Sequence, residues 1–143
     1  MTEVAFHFNA PDKLAYACRF ARKMLRSEHR LVITAPQPVL DQLDGLLWNM
    51  APQEFVAHGR ADSAPQVWDA SPVLLLADPQ QSSHHEVLLN LGAEVPRGFA
   101  SFARLIEVVS AGDELDRQQA RTRWRDYTQR GYFIVRHDLV LKS

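Results

Sequence analysis

Two strand–helix units follow one another at the start of this chain, and few folds accommodate that order. Val4, Phe6 and Phe8 alternate with Ala5 and His7, a spacing that predicts a strand ending at Asn9, after which Pro11-Asp12 supplies a helix start. Leu14, Ala17, Cys18, Ala21, Met24 and Leu25 then recur on one helical face, with Arg19, Arg22, Lys23 and Arg26 mostly outside it. Leu31-Val32-Ile33 is a second short apolar run, and residues 36–48 carry Val39, Leu40, Leu43, Leu46 and Leu47 at helical spacing. Strands joined through helices run parallel, and a parallel sheet is buried beneath its helices. The expected class is α/β, a largely parallel sheet flanked by helices.

Beyond these units the chain is irregular and then regular again. Ala51-Pro52, Gly59, Ser63-Ala64-Pro65 and Ser71-Pro72 are turn chemistry around two extended pieces, residues 54–58 and 66–69. Residues 73–77, 87–91 and 105–109 read as further strands, and residues 79–84 as a polar loop. Residues 96–104 predict a short helical turn with Phe99 and Phe102 facing inward. A last helix spans residues 117–130 and stops at Gly131, so that Tyr132-Phe133-Ile134-Val135 forms an extended tail able to pack back on the sheet.

With 143 residues, one domain over the whole chain (1–143) buries about two thirds of its unfolded surface and needs neither metal nor disulfide. Cys18 is the one cysteine, and residues 1–3 carry no basic stretch leading into an apolar one, which points to the cytoplasm. No apolar run approaches the ~20 residues that cross a bilayer. A net charge of −1 argues against tight nucleic-acid binding by the whole surface, so contact with DNA is expected to be indirect or weak.

The fold class invites a nucleotide site that the residues do not supply. The junctions after the first two strands read Asn9-Ala10-Pro11-Asp12 and Thr34-Ala35-Pro36-Gln37, without the glycines that let backbone amides approach a pyrophosphate. A Rossmann-like sheet without a phosphate-binding loop carries no enzymatic implication, and no cofactor is expected. His84-His85-Glu86 is the one metal-like cluster, yet adjacent side chains on an extended segment point apart. Cys18 lies on an apolar helix face and reads as a core residue. His7, His29, His58 and His137 are scattered with no nucleophile signature beside them.

The last helix concentrates what the rest of the chain lacks. Arg117, Arg121 and Arg125 recur every fourth residue, so three guanidiniums form one row with Trp124 on its flank. Such rows are often solvated faces, and Asp116 and Asp126 are available as partners of little energetic weight. The alternative is capture of an acidic ligand with an apolar end. A second aromatic segment, Leu43-Asp44-Gly45-Leu46-Leu47-Trp48, precedes a proline turn and residues 54–58; Trp48 there either caps the core or offers an edge to a peptide.

Taken together, Leu43-Asp-x-x-Leu-Trp48, Glu54-Phe55-Val-x-His58, Ala120-Arg121-x-Arg123-Trp124-Arg125-x-Tyr127 and Gly131-Tyr132 resemble the chi subunit of bacterial DNA polymerase III holoenzyme over most of the chain. The resemblance implies a non-enzymatic adaptor in DNA replication. It would join the clamp loader through a psi subunit and bind the acidic C-terminal tail of single-stranded DNA-binding protein at replication forks in the nucleoid. By the same resemblance Arg121 and Arg125, in a row with Arg117, would contact the tail's carboxylates, Trp124 and Trp48 would enclose its terminal apolar side chain, and Phe55 would face psi. The family often has tyrosine where this chain has Trp124 and lysine where it has Arg125, a change that adds a planar fork. The competing function is a module that binds single-stranded nucleic acid directly through the same C-terminal basic helix, with Trp124 as stacking platform.

Overall fold

A strand buried at every position is covered on both faces, and β2 (Leu31–Thr34) is such a strand, apolar from Leu31 to Ile33 and closed by a buried Thr34. The computed structural model describes residues 1–50, 58–61, 63 and 71–142. Around β2 the described residues form one seven-stranded sheet. Its other strands are β1 (Glu3–Ala10), β3 (His58–Arg60), β4 (Val73–Leu75), β5 (Val87–Asn90), β6 (Arg104–Ser110) and β7 (Ile134–Asp138), in the order β3-β4-β2-β5-β6-β1-β7. Every neighbouring pair is parallel.

Strand alternation sorts the core into two layers. Leu31, Ile33, Leu89, Ile106 and Val108 face α1 (Lys13–Arg26) and α2 (Gln37–Trp48), which contribute Ala17, Phe20, Met24, Leu40, Leu43 and Leu47. Val4, Phe6, Val32, Leu88 and Leu105 face the opposite way, under α3 (Glu114–Gln129) with Ala120 and Tyr127, and under Phe99 and Phe102 of a one-turn 3-10 helix at Phe99–Ser101. Truncating one sealed side chain such as Leu47 or Leu89 typically costs ~2–5 kcal/mol, against ~0–1 kcal/mol for a surface ion pair, so these layers hold the helices in place.

Helix ends follow local chemistry. Asp12 caps α1, its carboxylate accepting from Ala15 N at 3.1 Å, and Asp113 caps α3 through Asp116 N at 3.2 Å. Because of that second cap α3 begins three residues before the expected start at Arg117. Past its other end Gly131, at φ 90°, allows Gly131 N to reach Thr128 O and Tyr132 N to reach Tyr127 O, a Schellman closure that a Cβ would strain. The expected tail then returns to the sheet as β7, in register with β1 from Val4↔Ile134 to Phe8↔Asp138. The expected polar loop at residues 79–84 carries a 3-10 turn at Pro79–Gln81. Of the extended pieces expected at residues 54–58 and 66–69, only His58 lies within the described residues, where it opens β3.

Candidate functional site

The period of α3 separates an anchored face from an exposed one. Asp116, Ala120, Arg123 and Tyr127, spaced four, three and four apart, are buried, while Arg117, Arg121 and Arg125 are exposed. Two of the buried residues are charged and both have partners from the sheet layer. Asp116 accepts from Lys13 Nζ of α1 and from Ser110 N, each at 2.8 Å, rather than pairing along its own helix. Arg123 Nη1 donates to the Ala93 carbonyl at 2.8 Å, and its Nε lies 3.1 Å from Glu107 Oε1, off the line of a hydrogen bond. Glu107 is fully buried on β6 and also accepts from Tyr127 Oη at 2.5 Å and from Asn90 Nδ2 at 3.0 and 3.1 Å. Burial pushes the Glu107 carboxyl above its ordinary range, with the Arg123 guanidinium the chief opposing influence. Burial, and then the Glu107 carboxylate, push the Tyr127 phenol up as well.

With its inner face fixed, α3 presents its outer row to a cleft of about 480 Å³ between itself and the sheet edge. Phe6, Phe8 and Val109, with Ala120 and Trp124, make its apolar surfaces; Arg117, Arg121 and Arg125 line it from α3 and Arg136 from β7. Trp124 packs on Phe6 with ring centroids 5.0 Å apart, which fixes the indole as a wall, and Arg136 lies over the Phe8 ring at 5.3 Å. Four guanidiniums therefore surround an aromatic trough, and no carboxylate belongs to its described lining. Glu114, at the start of the same helix, has its oxygens 3.9 Å from Arg117 Nη1 and 3.5 Å from Arg121 Nη1. This arrangement suits an anion with a flat apolar group attached.

The structure brings Arg117, Arg121, Trp124 and Arg125 together but sets Trp48 apart. That residue ends α2, whose Leu43 and Leu47 pack on the opposite sheet face, and its ring lies 5.3 Å from His58 near the β3 edge. Trp48 and Trp124 thus do not enclose one side chain, because the sheet stands between their helices. Trp48 is 60 % exposed, so it does not cap the core either. Phe55 lies outside the described residues. Phe8 and Arg136 were not singled out in the sequence as binding groups. Phe8 falls on the period of a strand and reads as core, and Arg136 follows a tail whose pairing with β1 brings it across the cleft.

The helix N-termini next to the sheet are not phosphate cradles. Asp12 places its own carboxylate at the start of α1, and Pro36 stands at the start of α2 with Pro38 in the first turn. Asn9, at the register shift between His7 and Ala10 near the end of β1, has φ 66° and is tied by Nδ2 to Asp138 Oδ1 at 2.9 Å. His84 and His85 diverge as expected: His84 is buried, whereas His85 is exposed against the Phe102 ring. Cys18 is half-buried and packs against the layer under α1.

Comparison with known proteins gives one consistent answer. The family model described as DNA polymerase III chi subunit, HolC, matches residues 1–135. DNA polymerase III subunit chi of Pseudomonas aeruginosa is 30% identical over 144 aligned positions, which cover 97% of this chain and 98% of that protein. The subunit of the same name from Haemophilus influenzae is 28% identical over 117 positions, covering 81% of this chain and 80% of the relative.

Proposed function

The chain belongs to the DNA polymerase III chi-subunit family, and from that membership we propose that it is an adaptor whose α3 cleft captures the acidic C-terminal tail of single-stranded DNA-binding protein. A chi subunit is a non-catalytic accessory of the polymerase complex and serves DNA replication. The observation that carries the finer reading is the trough itself, four arginines around Phe6, Phe8 and Trp124. A flexible acidic tail ends in a carboxylate beside an apolar side chain, and upstream aspartates follow. A guanidinium fork takes the first, the aromatic trough the second, and the remaining arginines the third. Ordering a disordered tail costs entropy, so one tail binds with a Kd on the order of micromolar, and several tails on one partner add avidity.

On the other side of the molecule Trp48 and Leu46 are the exposed large apolar residues of α2; in the sequence Phe55 comes seven positions after Trp48. This separate surface supports a protein contact with a psi-like subunit of the clamp loader. Two unlike surfaces on opposite faces of one sheet are what an adaptor at a replication fork requires. Both halves of the reading can be checked by retention on the immobilised chain. Single-stranded DNA-binding protein should be held with its last few residues and lost without them, and Phe55→Ala or Trp48→Ala should release psi while leaving the tail bound. Retention that ignores the tail's last residues overturns the cleft assignment.

A further inference from the structure

On the sheet face opposite the α3 cleft, α1 carries Lys13, Arg19, Arg22, Lys23 and Arg26 and no acidic residue, although the chain as a whole has 16 basic and 17 acidic side chains. Arg19, Lys23 and Arg26 are exposed at intervals of four and three, one stripe about 10 Å long. Among the described residues none of the three forms an ion pair with a carboxylate. Beside the stripe opens a cleft of about 700 Å³ between α1 and the β1–β7 edge. Arg19 and Lys23 form one wall, Arg104 and His137 lie within it, and Tyr16 offers a half-buried ring with the Arg19 guanidinium 5.8 Å from its centroid. No carboxylate belongs to its described lining; Glu86 pairs with the lining residue His29 at 3.5 Å.

We propose that the α1 stripe and this cleft are a binding site for single-stranded nucleic acid, separate from the α3 cleft. A row of unpaired cations matches a polymer with repeating charge better than a single anion. A flexible strand can lay phosphates along Arg19, Lys23 and Arg26 while a base enters the cleft against Tyr16. A duplex keeps its bases stacked inside and cannot use the cleft. A membrane surface fits less well, because none of the large exposed apolar residues lies on α1.

The test is fluorescence anisotropy with a labelled oligothymidylate of about thirty nucleotides, starting at about 50 mM salt. The full chain should bind saturably, and log affinity should fall against log salt with a slope of about −2, the value for three neutralised phosphates on a single strand. Arg19→Gln, Lys23→Gln and Arg26→Gln together should weaken binding at least tenfold and flatten the slope. Glutamine keeps the helix propensity of these exposed positions, and circular dichroism should show an unchanged helix content. The single variant Lys23→Glu should lower affinity in the same direction should the triple variant not fold. Arg121→Ala should bind the oligonucleotide as the parent does. The proposal is overturned by unchanged binding in the α1 variants, by loss of binding in Arg121→Ala, or by equal affinity for a duplex of the same length. It is likewise overturned if phosphatidylglycerol-containing vesicles are bound and the oligonucleotide is not.

Discussion

Arg123 Nε stands 3.1 Å from Glu107 Oε1 with both side chains sealed from solvent, directly beneath the exposed arginine row of α3. The pair fixes the rotation of the helix and hence the direction of the row. Removing Arg123 leaves the buried Glu107 carboxylate with the neutral donors Tyr127 and Asn90 but without its chief counter-charge, so Arg123→Met should destabilise the fold by ~3–5 kcal/mol. The effect carries a pH signature. Burial already raises the Glu107 carboxyl and Arg123 is its chief counterweight, so the variant raises it further. A raised carboxyl contributes stability that is full below the unfolded value of 4.5 and is lost as pH rises through the folded one. Urea midpoints should therefore show the variant falling further behind the parent at about pH 8 than at about pH 5. A deficit independent of pH would detach Glu107 from Arg123.

His84 carries the opposite sign. It is 7 % exposed, neither ring nitrogen has a hydrogen-bond partner among the described residues, and burial, aided by Arg30, holds its pKa below the ordinary value. The unfolded chain takes up the proton near 6.5 while the folded one resists, so its contribution is full above that value and lost as pH falls through the folded pKa. His84→Leu should change stability by less than ~1.5 kcal/mol at about pH 8 and gain on the parent at about pH 5. Thermal melts at the two pH values decide it, and equal differences at both would show that His84 does not titrate on unfolding.

Most of the architecture was legible because local chemistry and tertiary packing agree. Uninterrupted apolar runs became β2, β4 and β5, Asp12 capped α1, and Gly131 closed α3. What the sequence concealed was partnership across it. Arg123 falls on the same helical stripe as Ala120 and Tyr127, and Glu107 interrupts the apolar run of β6, so each is a charge on a buried period. Neither signal is readable without the other, since their meeting depends on how α3 crosses β6. The start of α3 had a local sign in Asp113 with Glu114 and Asp116 behind it. Trp48 and Trp124 were joined by the family resemblance, whereas chain topology decides which helices share a face.

Glu114 makes a competitor of itself. Its oxygens lie 3.5 Å from Arg121 Nη1 and 3.9 Å from Arg117 Nη1, so it competes with a ligand carboxylate for that side of each guanidinium. Exposed pairs of this kind contribute ~0–1 kcal/mol, and Glu114→Gln should strengthen tail-peptide binding by up to about fivefold. Losing an acid from the first turn of α3 should cost ~0.3–1 kcal/mol of stability. Titration of the peptide into both proteins checks the first, and weaker binding to the variant would show that Glu114 orients the row rather than occupying it.

The sharpest test concerns which group reads the end of the tail. Arg121 lies one turn from both Arg117 and Arg125 and lines the cleft with Trp124, so the geometry makes it the central candidate. Losing a hydrogen bond to a charged group costs ~1.5–3 kcal/mol, which makes Arg121→Ala roughly ten- to a hundredfold weaker. Its side chain is 53 % exposed, so solvent screening favours the lower end of that range. Amidating the peptide's terminal carboxylate should cause a loss of the same order. If the two groups are partners, the losses do not add, and Arg121→Ala binds amidated and free peptides almost equally. The upstream aspartates contribute separately through the other arginines, a share that fades as salt rises. Anisotropy titrations of the four combinations decide it. Losses that multiply would move the carboxylate clamp to Arg125 or Arg117 on the same helix, or to Arg136 on the facing strand, and the same cycle repeated at each would find it.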